Sequence, residues 1–518
     1  MAGESLPWFA VGASMIASTL STEQMIGENG ASYKYGFAVA QWDCYMLPPV
    51  TMLVWIFLPI YLRRKTVTIP GYLSERYGPR LRDAFALITV ISYPLVFLAV
   101  VLYSGSILLS SLFPVKVILF GADYTVLLWS ALLVVSTAVY TMWGGLAAVV
   151  WTDFIQFVIL AFAGLLIFGF SMKELSGMPG LHGLWEGWRR LTESQSQRFH
   201  LAQPVDHPLI PWPAMFMRVV TTQLYYNCAN QFIVQRALAA KSSWHARMGA
   251  VSYAFVCFVL PFVDILPGMI AYQMNPHLPD PNRVVPFVLH AVIPGGFGIR
   301  GFIMAGLLAA VMSTPSSLIN STATLFTLDI YKRRLNPGAS DAKLVRVGRI
   351  TCLVTALAGV LWAPLIGDYP LIFTYFQSFV AYIAAPAGAI FLLGVFWKRA
   401  NERAALWALA GGLGFCLSLE AAKHLYPDAG VPLIHVSLAN LSFIYVSFAG
   451  WLLSMAIMVV VSRAGTVPEL QDTSGLLWDR SALAASYPRG AYGRWYGSLS
   501  FWYFVFGAVW VVFMIRFW

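Results

Sequence analysis

The sequence predicts an all-α integral membrane protein with about thirteen transmembrane helices. Three observations predict it. Hydrophobic residues make up 59% of the 518 and charged residues only 11%, with a mean hydropathy of +0.69, outside the range of soluble domains. Apolar stretches long enough to cross a hydrocarbon core as helices, ~20 residues each, recur from end to end. The basic residues fall in alternate loops instead of gathering on one module, which excludes a nucleic-acid-binding surface.

In order, the spans are 7–27, 36–62, 83–112, 123–144, 147–171, 210–234, 246–274, 299–328, 346–366, 369–396, 404–422, 436–462 and 497–517. The first contains STLSTEQ, residues 18–24, and the sixth QLYYNCANQ, residues 223–231. These are the most polar stretches inside any span. Lipid penalises such residues, and intramembrane carboxylates are functional by default. Ser18, Thr19, Ser21, Thr22, Glu23 and Gln24 therefore suit an unwound segment that lines a binding site. The alternative, hydroxyls bonding the preceding turn of a continuous helix, accounts for the serines and threonines but not for Glu23 and Gln24. The second polar stretch comes five spans after the first. Five is odd, so a second five-helix repeat must be inverted relative to the first, and transporters built this way break the first helix of each repeat near the midplane.

The expected division is a first five-helix repeat over 5–172, an extracellular loop with a short helix over 173–209, an inverted repeat over 210–400, and three further helices over 401–518. A cytoplasmic connector, rich in Pro, Gly and Ser, covers about 464–496. Placing the N-terminus in the cytoplasm puts 22 of the 33 lysines and arginines in cytoplasmic loops, as the positive-inside rule requires. The C-terminus then lies outside the cell membrane. Five cysteines show no CxxC or Cys/His spacing, so neither disulfide nor structural metal is expected. GKS/GKT, GxSxG and HExxH motifs are absent. The chain is expected to be no enzyme, to need no cofactor, and to draw any transport energy from a gradient.

SLPWFAVGASMIASTLSTEQMIGENG, AAVVWTDFIQ, YYNCANQFIVQRALAAK, AAVMSTPSSLINSTATLFTLDIYKR and AAPAGAIFLLGVFWKR together resemble the solute:sodium symporter family, the sodium-glucose cotransporters and their bacterial relatives. The resemblance implies a five-plus-five inverted-repeat core of the APC/LeuT type, with Na+ as coupling ion. MAGESLPWF matches the loop before the first core helix, so the family's additional N-terminal helix is expected to be missing here, either because the start is truncated or because this member lacks it.

For sodium, the resemblance implies the carbonyls of Ala17, Leu20 and Ala310 and the side chains of Ser313 and Thr314, with Asp153 nearby. The open alternative for Asp153 is an N-cap or loop partner at the start of the fifth helix. Pro315 departs from many relatives and removes the amide that would bond Val311. For the solute, the resemblance implies Glu23, Gln24 and Gln377, with Tyr226 as an aromatic inner gate. Thr19, Gln223 and Cys257 stand where sugar-binding relatives carry Asn or Lys, Met46 replaces a small polar residue and Asn227 a tryptophan. Trp42 and Asp43 lie at the outer side of the pocket. The implied partners are Na+, a small sugar-like or polyol solute and the lipid bilayer. A non-sugar solute, or a sensor or conductance using the same pocket, remains open.

Overall fold

The computed structural model describes residues 5–20, 22–113, 115–120, 122–295, 298–369, 371–431, 436–465, 475–480 and 495–518. Ser21 and most of the 464–496 connector lie outside them. Two short hairpins, Ile118–Leu119 with Ala122–Asp123 and Gly430–Val431 with Val436–Ser437, are the strands of an otherwise helical architecture among the described residues. Among the described residues, ten helices are long and apolar enough to cross a membrane.

The remaining three spans are broken. Trp8–Thr19 ends where Leu20 leaves the helical region at φ −79°, ψ 80°, and Thr22–Tyr35 begins beyond it. The break is thus narrower than STLSTEQ. The sixth span breaks twice, at Thr221 (φ −104°, ψ −101°) and at Asn230 (φ −89°, ψ 120°), with a wide π-turn over Tyr225–Ala229 between. The seventh divides into Ser243–Cys257, Pro261–Asp264 and Leu266–Met274. Pro261 and Pro267, at the starts of the second and third pieces, carry no amide to continue a helical ladder.

Thr125–Ser176 is helical over 52 residues, far more than one crossing needs, and it is not straight. Leu133 and Val311 both touch Gly105, whereas Gly306 touches Ala163. Two points 30 residues apart, ~45 Å along a straight helix, therefore meet Ile299–Leu325 within five residues of each other. The element folds back on itself between the apolar limbs Thr125–Met142 and Ala148–Ser176. The fourth and fifth expected spans are these two limbs.

Close packing follows small residues, as helix contacts in lipid require. A Cβ on Gly12 would lie 2.3 Å from Ser252 Oγ, and one on Gly249 2.7 Å from Val11, so Trp8–Thr19 and Ser243–Cys257 approach nearly backbone to backbone. Gly412 and Gly450 do the same for Glu402–Leu425 and Phe443–Ala464. The outer faces of these last two helices carry exposed apolar side chains such as Leu417 and Val460. One end of the molecule is basic. There Arg76 donates to the carbonyls of Gly394, Trp397 and Ala400 at 2.6–3.0 Å, capping Ile372–Phe396 at its C-terminus. Arg333 pairs with Asp83 at 2.7 Å.

Candidate functional site

The break at Leu20 ends the helix before its last carbonyls find intrahelical partners. Ile299–Leu325 supplies them. Ser313 Oγ donates to the Ala17 carbonyl at 2.6 Å and Thr314 Oγ1 to the Ser18 carbonyl at 3.3 Å. Ser313 Oγ also reaches the Ala310 carbonyl at 3.1 Å. Ala17, Ala310, Ser313 and Thr314 therefore converge as one buried oxygen cluster, and Leu20 is the residue that opens the helix. Pro315 sits inside Ile299–Leu325, one residue past Thr314.

Asp153 lies within the helical second limb of the folded-back element, past its first turn and not at a helix start, so the N-cap alternative is overturned. Both it and Arg236 are 0% exposed. Arg236 Nη2 donates to Asp153 Oδ2 at 3.0 Å, and Ser14 Oγ donates to the same oxygen at 2.6 Å while accepting from Arg236 Nε at 2.7 Å. Arg236 also donates to Ser317 and to the Phe232 carbonyl. Ser313, Ser317 and Ser321 repeat every four residues along one helix face. Ser321 accepts from Gln235 at 2.7 Å, and Gln235 lines a second cavity of about 520 Å³ shared with Asn320, Thr324 and Arg349. A polar stripe thus runs from the oxygen cluster, past the Asp153–Arg236 pair, to that cavity.

On the other side of the break, a small cavity of about 40 Å³ is lined by Thr19, Glu23, Gln24, Glu28, Trp42, Asp43, Met46, Thr222, Gln223, Tyr226, Phe373, Phe376 and Gln377. Carboxylates, amides and hydroxyls alternate with rings around it. Thr19 Oγ1 lies 3.2 Å from Tyr253 Oη, Gln24 Nε2 donates to Asp43 Oδ1 at 3.0 Å, and Gln223 Nε2 reaches the Trp42 carbonyl at 3.3 Å. The wall is polar but internally ordered.

The model of the sodium:solute symporter family matches residues 1–412. The chain belongs to that family. It is 32% identical to the sodium/glucose cotransporter of Vibrio parahaemolyticus over 88% of this chain and 84% of the relative. It is 30% identical to sodium/myo-inositol cotransporter 2 of Oryctolagus cuniculus over 92% and 74%. These relatives are transporters, not enzymes. Among solved structures, a Na+-coupled sialic acid symporter in a substrate-bound outward-open state superposes with a TM-score of 0.73 at 21% identity, covering 90% of this chain and 91% of that one. Mhp1, a nucleobase-cation-symport-1 family transporter, gives 0.51 at 16% identity, covering 92% and 96%. The fold is that of the LeuT-like transporters, with the broken first and sixth helices expected of it.

Of the ten solute residues expected from the family, eight line the cavity. Asn227 and Cys257 do not. Asn227 is fully buried, its amide tied to Gln223 Oε1 at 3.1 Å and to the Gln223 carbonyl at 2.9 Å, and Cys257 is fully buried beside the cavity wall. Sequence reasoning missed Glu28, Thr222, Phe373 and Phe376 as lining residues. Helical spacing carried a signal for each: Glu28 follows Gln24 by four, Tyr226 follows Thr222 by four, Phe373 precedes Gln377 by four, and Phe376 follows Phe373 by three.

Proposed function

We propose that this member of the symporter family couples sodium entry to uptake of a sugar or polyol by alternating access. One observation carries the proposal: the oxygen cluster and the cavity meet on the same broken helix. Ala17 and Ser18 face Ser313 and Thr314, and the next residue, Thr19, lines the cavity.

Sodium needs several oxygen ligands and accepts neutral ones. The carbonyls of Ala17, Leu20 and Ala310 with the hydroxyls of Ser313 and Thr314 are the proposed set. Bound there, the ion replaces the Ser313-to-Ala17 hydrogen bond as the tie across the break, so it fixes the helix end that presents Thr19 and Glu23. The proposed solute contacts are Thr19, Glu23, Gln24, Gln223 and Gln377, whose side chains bond hydroxyls that both donate and accept, with Trp42, Met46 and Tyr226 as apolar and aromatic surface. Sodium and solute then favour one conformation and raise each other's affinity by the same factor. The myo-inositol and glucose cotransporters among the relatives support this solute class. The proposed setting is the cell membrane, N-terminus inside and C-terminus outside, with repeats over 5–172 and 210–400, a loop over 173–209 and three more helices over 401–518.

Proteoliposomes holding the purified chain test this directly. Under an imposed inward sodium gradient they should accumulate a hexose or inositol. Uptake that ignores the gradient overturns sodium coupling; accumulation only of amino acids or nucleobases overturns the solute class.

A further inference from the structure

We propose that Glu28, Asp43 and Asp264 form a second sodium site, beside the solute cavity and separate from the Ala17–Ser313 cluster. The inference rests on the symporter reading above.

Three elements build the group. Glu28 comes from Thr22–Tyr35, Asp43 from Gln41–Cys44 and Asp264 from the end of Pro261–Asp264. Their juxtaposition is enforced: Ser32 Oγ donates to the Ile265 carbonyl at 2.8 Å and the Gly268 amide donates to Asn29 Oδ1 at 2.8 Å. A Cβ on Gly268 would fall 2.0 Å from Ser32 Oγ, so only glycine lets these helices approach so closely.

The three residues are 0–1% exposed, and one carboxylate oxygen from each lies within 4.8 Å of the others. Both oxygens of Glu28, both of Asp264 and Oδ2 of Asp43 accept no hydrogen bond. Glu28 and Asp43 also line the solute cavity, which gives an ion its route in. Arg218 is the neighbouring cation. It stacks 3.6 Å over the Trp42 ring and donates to the Gln41 carbonyl at 2.7 Å, while its Nε and Nη1 bond nothing. It offsets one of three charges from the side, without bonding the carboxylates.

Buried, unbonded carboxylates this close repel and lack solvation, so they share protons or hold a cation. Hard cations bind oxygen at ~2.4 Å, so the ligands of one ion lie no more than twice that distance apart, a limit these three oxygens meet. One proton shared among the acids, the Arg218 guanidinium and one Na+ bring the group to neutrality. Asp43, shared by ion site and cavity, then lets a solute feel the second ion directly.

The test counts 22Na+ bound to the full-length chain in detergent. The parent should bind two ions, Glu28→Gln/Asp264→Asn one, and Ser313→Ala/Thr314→Ala one. The ion retained by the first variant reports that its core is folded; if that variant cannot be recovered, Glu28→Gln alone gives the same count. A parent that binds one ion, lost in Ser313→Ala/Thr314→Ala and kept in Glu28→Gln/Asp264→Asn, overturns the second site and leaves the symporter reading standing. Proton uptake without a second sodium, or calcium binding in its place, also overturns it. No sodium binding by the parent at all overturns both.

Discussion

Two acidic centres flank the break in the first helix, and they are built in opposite ways. Toward the second cavity, Asp153 is enclosed with Arg236, Ser14 and Ser317, and Oδ2 receives two hydrogen bonds. Toward the solute cavity, Glu28, Asp43 and Asp264 share one guanidinium that bonds none of them. Both centres are buried. Burial alone therefore does not tell what a carboxylate is for: the first is paired with its own guanidinium between the oxygen cluster and the second cavity, while the second has a charge still to be met.

The largest expected effect separates the two by sign. Removing one partner of a buried ion pair strands the other charge, at a cost of about 3–5 kcal/mol. Asp153→Ala and Arg236→Ala should each lower the unfolding midpoint steeply in detergent, and the double variant should lose less than the two combined. Strictly additive losses would show that the pair does not act as a unit. Next in size, Ser313→Ala and Thr314→Ala should each weaken sodium binding by about 1–3 kcal/mol, the range for a buried group left short of a partner. An unchanged sodium half-saturation in the double variant would remove Ser313 and Thr314 from the ion site. Smaller, and opposite in direction to the first, Glu28→Gln/Asp264→Asn should raise stability by about 1 kcal/mol in sodium-free buffer, because it relieves repulsion where no bond is lost. A loss as large as that of Asp153→Ala would erase the contrast.

How much of this the sequence carried depends on range. The spans were legible because lipid demands ~20 apolar residues per crossing, and the broken helices were legible because Glu23, Gln24 and Gln223 have no place in a continuous lipid-facing one. The break itself was not placed to the residue: Leu20 is neither Gly nor Pro, and its departure from the helix follows from the Ala17 and Ser18 carbonyls, which accept from Ser313 and Thr314 across the core. Long-range partners were invisible. Asp153 and Arg236 lie 83 positions apart, and Glu28, Asp43 and Asp264 come together only through the glycine contact at Gly268. The family resemblance placed Asn227 in the cavity wall, but it could not show that its amide turns back to Gln223.

The smallest effect carries the comparison outside the membrane-spanning helices, to a half-buried titratable group whose needs are met only in its neutral form. His207 lies in the segment before Ala214–Val220, and its Nδ1 accepts from the amides of Leu209 at 3.2 Å and Ile210 at 3.0 Å. Burial pushes its ring down from 6.5 to about 4, against the pull of Asp206. A protonated Nδ1 cannot accept, so charging the ring forfeits both bonds. Between pH 6.5 and 4 the opened segment binds a proton that the closed one refuses. Closure is therefore fully favoured above pH 6.5, weakens as pH falls toward 4, and changes no further below it. Hydrogen exchange at Leu209 and Ile210, corrected for intrinsic rates, should show protection falling from pH 7.5 to 5. His207→Ala should flatten that dependence while lowering protection at pH 7.5. Protection that is independent of pH in the parent would mean the ring does not hold this segment, whereas dependence that persists in His207→Ala would transfer the role to another group.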